Sequence, residues 1–264
     1  MVFNSPISSE KADRIIQLLG LTSKDRVLDA GCGCGEFLIR LCERSGAHGL
    51  GVDKDLQSIA AAREAAKDRI SGTQCEFRNA DITNVPLEPH SFDLALCIGS
   101  THAYGSGDAA YPNTINSFLR LVRAGGQLLI GEGYWKRDPA PEYLRLIGEP
   151  VGIYRDHSGN ISFAEQHGLV PLYAAVSNDD EWDHFEWSHR MKMERQAVST
   201  VADPAAAEKL ERSRRWRDMA RRSTRPGEAG DLGVPSNQRR SRRAVSGGLA
   251  WSFRGAGRCQ EVER

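Results

Sequence analysis

No cysteine pair in this 264-residue chain has the CxxC spacing of a zinc ribbon or a redox motif. The six cysteines (Cys32, Cys34, Cys42, Cys75, Cys97 and Cys259) have no partner ligands at zinc-like spacing. They read as reduced thiols of a cytoplasmic protein, and no metal is expected. No apolar run approaches the roughly 20 residues that cross a bilayer, so no membrane association is expected. The opening MVFNSPISSEKADR lacks the apolar core of a secretory leader. No internal repeat occurs. Residues 212–264 contain 14 Arg, no Lys and 5 Asp or Glu, a net charge of +9. Residues 1–211 contain 21 Lys or Arg against 30 Asp or Glu, a net −9. The overall charge of zero thus joins two compositions in one chain.

What the chain does have is alternation of short apolar runs with helical patterns. Ile15, Ile16, Leu18 and Leu19 share a helical face over 10–19, stopped by Gly20. Strands are expected at 26–30, 48–53, 75–79, 92–98 and 127–131. Helices are expected at 36–43, 56–70 and 113–123. Ala124-Gly125-Gly126 turns the chain before the fifth strand. Such spacing implies right-handed βαβ units, hence an α/β, Rossmann-like, doubly wound and mostly parallel sheet with helices on both faces. Its strands are near-uniformly apolar, as burial on both faces requires. Beyond residue 135, short helices are expected at 141–147 and 162–167, a strand at 169–176 and helices at 180–195 and 204–219.

Between the first strand and the first crossover helix stands Val27-Leu28-Asp29-Ala30-Gly31-Cys32-Gly33-Cys34-Gly35-Glu36-Phe37. Glycines at alternate positions allow positive φ and close approach of a ligand to bare backbone. The helix that follows offers free N–H groups and a partial positive charge. The spacing G-x-G-x-G differs from the G-x-G-x-x-G of dinucleotide sites, which disfavours an NAD-linked oxidoreductase. Asp29 directly before the turn suits an ammonium group and opposes a phosphate. Asp53, ending the second strand, is placed to accept from both hydroxyls of a ribose, and Asp81 to accept from an exocyclic amine. A nucleoside with a positive, amine-bearing arm and no phosphates fits these acids, and S-adenosylmethionine is such a molecule.

With those residues in place, the chain resembles the class I S-adenosylmethionine-dependent methyltransferases over residues 22–135. The likeness rests on VLDAGCGCGEF, GVDKD at 51–55, NADI at 79–82, FDLALCIGS at 92–100 and RAGGQLLIGE at 123–132. It implies Gly31, Gly33 and Gly35 beside the methionyl arm, Asp29 near its amino group, Asp53 on the ribose and Asp81 on the adenine amine. Ile98, Gly99 and Ser100 would run along the cofactor edge, with Cys32, Lys54, Ala80 and Ile82 as further neighbours. Phe3-Asn4-Ser5-Pro6, the segment 131–135 and the segment 181–187 resemble a bacterial small-molecule subset of these enzymes.

Methyl transfer from a sulfonium needs a nucleophile held in line with the S–CH₃ bond and a base only where that nucleophile arrives protonated. His102 and Glu132, after the fourth and fifth strands, are the candidate catalytic residues. Each has an alternative reading as a hydrogen-bonding group within its loop. Tyr104, Tyr134 and Trp135 are expected to wall an acceptor pocket. Trp182, Phe185 and Trp187 form either a lid or simple packing, and His184 is a remote second candidate base. The function expected is methyl transfer to a small-molecule acceptor. Methylation of RNA or protein, and cofactor binding without transfer, are the alternatives. The negative core and the lack of an Asn-Pro-Pro-Tyr-type motif argue against a nucleic-acid partner.

Residues 1–219 therefore read as one domain, with a cofactor-binding core at 22–135 and an acceptor-side elaboration at 136–219. Residues 220–264 read as an Arg-rich tail, either a nucleic-acid-binding arm, a disordered extension or aberrant, frame-shifted sequence, the last preferred. The closing antiparallel strand of the sheet is doubtful on this reading. Only Ala244 to Phe253 offers a remnant of it.

Overall fold

The computed structural model describes residues 2–199 except 137, 140, 142, 143, 146, 147 and 149, together with Glu208, Leu210, Glu211, Arg214 and the strand at 249–255. The expected helices at 141–147 and 204–219 lie largely outside these residues.

The first five strands are β1 (Arg26–Ala30), β2 (His48–Asp53), β3 (Cys75–Asn79), β4 (Phe92–Ile98) and β5 (Val122–Glu132). They pair in parallel in the order β3-β2-β1-β4-β5. Helix α1 (Ser9–Leu19) precedes them. Its N-terminus is capped by the Ser8 hydroxyl and its end by left-handed Gly20. Helices α2 (Glu36–Ser45), α3 (Leu56–Ala66) and α4 (Ala110–Leu121) cross between strands. Alternation along each strand sends side chains to two cores. Val27, Leu94, Leu96 and Leu129 pack with α1, α2 and α3 on one face. Leu28, Ala95, Cys97, Leu128 and Ile130 pack with Ile115 and Phe118 of α4 on the other.

Two boundaries differ from the sequence expectation for local reasons. Helix α4 begins before Pro112 because proline is tolerated in a first helical turn. Strand β5 begins at Val122, and the Ala124-Gly125-Gly126 turn survives inside it as an irregularity: Gly125 has φ +75° and the pairing with β4 shifts between Phe92 and Leu94.

Beyond β5 come α5 (His157–Gln166), β6 (Leu169–Val176) and α6 (Asp179–Ser199). Helix α5 starts five residues earlier than the sequence pattern suggests, because Asp156 caps it through the Gly159 N–H at 2.7 Å. The doubt about a closing strand is corrected. Strand β7 (Leu249–Gly255) lies antiparallel between β5 and β6, giving seven strands in the order β3-β2-β1-β4-β5-β7-β6. A strand flanked on both sides draws on two backbone ladders, so a seven-residue stretch within an Arg-, Gly- and Ser-rich segment suffices. The rest of the expected tail, 220–248 and 256–264, lies outside the described residues.

Candidate functional site

The strand order reverses between β1 and β4, since the chain lays β2 and β3 to one side and then returns. Open α/β sheets bind ligands at the carboxyl ends of the strands at such a reversal. Here two turns meet. After β1, Gly31, Gly33 and Gly35 have φ of +75°, +52° and +74°. The Gly31 and Cys32 N–H groups donate to the Val52 carbonyl at 2.8 and 3.1 Å. After β4, the Ser100 hydroxyl donates to the Gly31 carbonyl at 3.0 Å. A side chain on Gly31 would come within 2.3 Å of Ser100 Cβ, and one on Gly35 within 2.6 Å of the Phe77 ring. Gly33 is different: a Cβ there would meet nothing within 4 Å. The first and third glycines are thus required by packing, while the middle one faces open space.

Beside the turn lies a cleft of about 370 Å³, part of it open solvent, lined by Gly31, Asp53, Lys54, Asp81, Ser100 and His102, among others, but not by Gly33 or Gly35. Ala80 and Ile82 also line it, with Val52 and Ala103, two residues that the sequence reading missed. Val52 precedes the expected acid in β2, and Ala103 follows the expected histidine, so adjacency was their only signal.

Asp53 ends β2 half-buried. Its Oδ2 accepts from the Gly33 N–H at 2.9 Å and its Oδ1 from the Asp55 N–H at 2.8 Å. A carboxylate offers about four lone-pair sites, so both oxygens retain capacity for a ligand. Asp81 is exposed and caps the short 3₁₀ turn Ile82–Asn84. Its Oδ1 accepts from the Thr83 hydroxyl and N–H at 2.7 and 2.9 Å, which holds its pKa below the ordinary carboxylate value.

Asp29 lies beneath the glycine turn at 3% exposure and is not among the cleft-lining residues. Among the described residues its carboxyl accepts no hydrogen bond. Burial, followed by the nearby Asp53 carboxylate, pushes its pKa well above the usual carboxylate range. An unpaired buried acid beside a positive-φ glycine turn fits a ligand that brings an ammonium group, and opposes a phosphate. The Cys32 thiol is held protonated by burial and by Asp29 and Asp53, so it is no nucleophile. Among the described residues no three His, Cys, Asp or Glu side chains gather as a metal site. No helix is long and apolar enough to cross a membrane, again among the described residues.

The acceptor side is built from the turns after β4 and β5. His102 stands exposed in the 3₁₀ turn Thr101–Tyr104, on the wall of the cleft. Glu132 ends β5 and accepts from the Thr101 hydroxyl through Oε2 and from the Gly133 N–H at 2.8 Å through Oε1. Burial raises its pKa against these bonds. Ile98 ends β4, and Gly99 just beyond it takes φ +73°. Tyr104 sits edge-on to Phe118 at 5.8 Å with a buried hydroxyl that has no hydrogen-bond partner among the described residues. Tyr134 and Trp135 are 6% and 7% exposed, packed against His157 and Tyr154 at 5.6 and 5.4 Å. Each of these three aromatics is therefore packed against another side chain of the fold, and none of them is among the cleft-lining residues.

Helix α6 crosses from the end of β6 toward β2. Glu181 accepts the Ser8 N–H at 2.9 Å and pairs with Lys11, which anchors its start to α1. Further along, His189 bonds Asn4 at 3.0 Å, and Lys192 adds to the Ser58 hydrogen bonds that lower the Asp55 pKa. Trp182 and Phe185 meet edge-on at 6.0 Å, whereas Trp187 is 50% exposed and His184 is exposed. The helix thus passes the N-terminal segment, whose Ser5 approaches the position of a side chain on Gly99 to 4.0 Å.

Comparison with known proteins places this geometry in context. Residues 27–126 match a family model described as a methyltransferase domain. An uncharacterized Escherichia coli protein, YjhP, is 26% identical over 214 residues, covering 78% of this chain and 82% of that protein. The 27-O-demethylrifamycin SV methyltransferase of Amycolatopsis mediterranei is 28% identical over 144 residues, and the alignment covers 53% of this chain and only about half (52%) of that relative. Among solved structures, an S-adenosylmethionine-dependent methyltransferase from Thiobacillus denitrificans in complex with S-adenosylhomocysteine superposes with TM-score 0.75 at 20% identity, covering 96% of this chain and 92% of that one. At that identity the structural likeness is one of fold.

Proposed function

We propose that this chain, a class I S-adenosylmethionine-dependent methyltransferase by its methyltransferase domain at 27–126 and its fold, acts on a small-molecule acceptor. The observation that carries the reading is a cleft on which the positive-φ glycine turn after β1 meets the strand-end acids Asp53 and Asp81, with Asp29 at 3% exposure beneath the turn. In this reading the three glycines and Asp29 take the methionyl arm, Asp53 the ribose, and Asp81, Ala80 and Ile82 the adenine. Bound there, the cofactor supplies an activated methyl group on a sulfonium. The chain's own residues orient the acceptor and exclude water. His102, on the cleft wall, takes the acceptor's proton where the acceptor arrives protonated. A small acceptor is favoured because residues 1–211 have net charge −9, which repels a polyphosphate, and because the named function of the Amycolatopsis relative is methylation of a small molecule. A reducing, cytoplasmic setting fits the free thiols of Cys32, Cys34, Cys42, Cys75 and Cys97.

Calorimetry with S-adenosylhomocysteine tests the site. The wild-type chain should bind it, and Asp53→Ala should weaken binding about tenfold or more. Unchanged affinity in Asp53→Ala, or a preference for NADH, would falsify the assignment. Donor turnover over a panel of small hydroxyl, amine, thiol and carbanion acceptors, set against RNA and peptide, then tests the acceptor class.

A further inference from the structure

The turn that carries His102 is held from two sides by consecutive side chains. Ser100 donates to the Gly31 carbonyl at 3.0 Å, across to β1. Thr101, 6% exposed, turns the opposite way and donates to Glu132 Oε2, at the end of β5. The backbone adds one bond to β5, from the Gly99 N–H to the Gly131 carbonyl at 2.8 Å, and one within the turn, from the Ala103 N–H to the Ser100 carbonyl at 2.9 Å. The next residue, His102, has its side chain exposed on the cleft wall. Glu132, for its part, has both oxygens engaged, one by Thr101 and one by the Gly133 N–H.

We infer that Glu132 is a positioning residue: acting through Thr101, it fixes the turn after β4 and so sets where His102 stands over the cleft, and it does not itself take a proton from the acceptor. A base must present a free lone pair toward the reacting group. Glu132 is not among the residues that line the cleft, and its carboxylate accepts instead from two neighbouring turns, 31 residues away in sequence at its longer reach. Thr101 is the other half of the device, and a hydroxyl on a β-branched side chain suits it, since few χ1 states are open to such a residue. The inference rests on the proposed methyltransferase reading only in giving His102 something to do. The pin itself is a property of the empty chain.

The test uses the full-length chain and four variants: Thr101→Val, Thr101→Ser, Glu132→Ala and His102→Asn. Hydrogen exchange of peptides spanning 99–105, without ligand, reads the pin. Thr101→Val and Glu132→Ala should exchange at least tenfold faster there, with the rest of the chain unaltered, and Thr101→Ser should restore the wild-type rate. Modification of His102 by diethyl pyrocarbonate, resolved by peptide mass spectrometry with His102→Asn as the blank, reads its placement. S-adenosylhomocysteine should protect His102 at least tenfold in the wild type and in Thr101→Ser, and less than threefold in Thr101→Val and Glu132→Ala. Unaltered exchange in both pin variants, or faster exchange with protection of His102 intact, would overturn the inference. A wild-type chain that binds no S-adenosylhomocysteine would instead overturn the cofactor reading, and the exchange arm would still decide the pin.

Discussion

Ser100 and Gly31 belong to different turns, yet the hydroxyl of the first donates to the carbonyl of the second at 3.0 Å, and a Cβ on Gly31 would lie 2.3 Å from Ser100 Cβ. The contact leaves no room for any residue but glycine at position 31. Gly33, two residues on, also has positive φ but nothing within 4 Å of its missing side chain.

These glycines should therefore fail differently. Gly31→Ala combines left-handed backbone strain with a clash, and should cost about 2–4 kcal/mol. Gly33→Ala has only the strain, about 1–2 kcal/mol. In a domain of this size each kcal/mol lowers Tm by roughly 2–4 °C. Affinity for S-adenosylhomocysteine should fall in both variants, because Gly31 lines the cleft and the Gly33 N–H holds Asp53 on its wall. Thermal melts and calorimetry on the two variants check this, and equal losses of stability would refute the packing argument.

Asp29 makes a second prediction through its protonation. Its folded pKa is raised above 3.8, by burial first and Asp53 second. Its favourable contribution to stability is therefore complete below the unfolded pKa and is lost as pH rises through the folded one. Above the unfolded pKa that contribution is missing, and the buried group is a net burden on the protein. Asp29→Asn should raise Tm at pH 7, give little gain below pH ~4, and weaken S-adenosylhomocysteine binding. In the wild type, an ammonium arriving beside Asp29 favours its charged form, so binding should release a proton and tighten as pH rises through the Asp29 titration. Calorimetry in buffers of different ionisation enthalpy measures that proton. No proton release would mean that the amine does not meet Asp29.

Which of these features can be read from sequence depends on the distance over which each is made. Strands β1 and β4 are legible because a central strand buried on both faces must be a near-continuous apolar run, as FDLALCI is. The cleft residues Gly31, Asp53, Asp81, Ser100 and His102 are legible because strand ends in a parallel sheet fall at one edge. Helix α5 hides its start in His157-Ser158-Gly159-Asn160, where the only signal is the cap Asp156. The Thr101–Glu132 pin and the His189–Asn4 bond have no local signal, since their partners are 31 and 185 residues apart. Tyr134 and Trp135 look available in sequence. In the fold they are used by the segment that returns as 154–160.

An ion-pair network on the α1–α2 face gives a third prediction. Glu36 pairs with Arg40 and Arg69, while Asp13 pairs with Arg40 and Arg44. Partial burial would raise the Glu36 pKa, but hydrogen bonds from Arg69 and Arg40 outweigh it and hold the group below 4.5. A lowered folded pKa contributes stability above the unfolded value, and that stability is lost as pH falls through the folded pKa. Glu36→Gln should cost about 1 kcal/mol at pH 7, and less in 1 M salt or below pH ~4. Denaturant melts across pH and salt check it. A cost that ignores both would point to packing and not to charge.

The closing strand yields the last prediction, and it bears on the character of the C-terminal region. Ser252 in β7 lies in register with Leu129 of β5 on one side and Tyr173 of β6 on the other. A proline there loses a ladder N–H and forces its ring between two strands, a change tolerated only at sheet edges. Ser252→Pro should therefore cost about 3 kcal/mol or more and expose the β5 and β6 edges to pairing with other chains. Loss of Tm with light scattering on heating would report both effects. The same substitution in a tail that does not pair, such as an aberrant extension trailing from a finished domain, would leave the melt unchanged. The comparison thus separates a sheet completed by residues 249–255 from one that ends at β5.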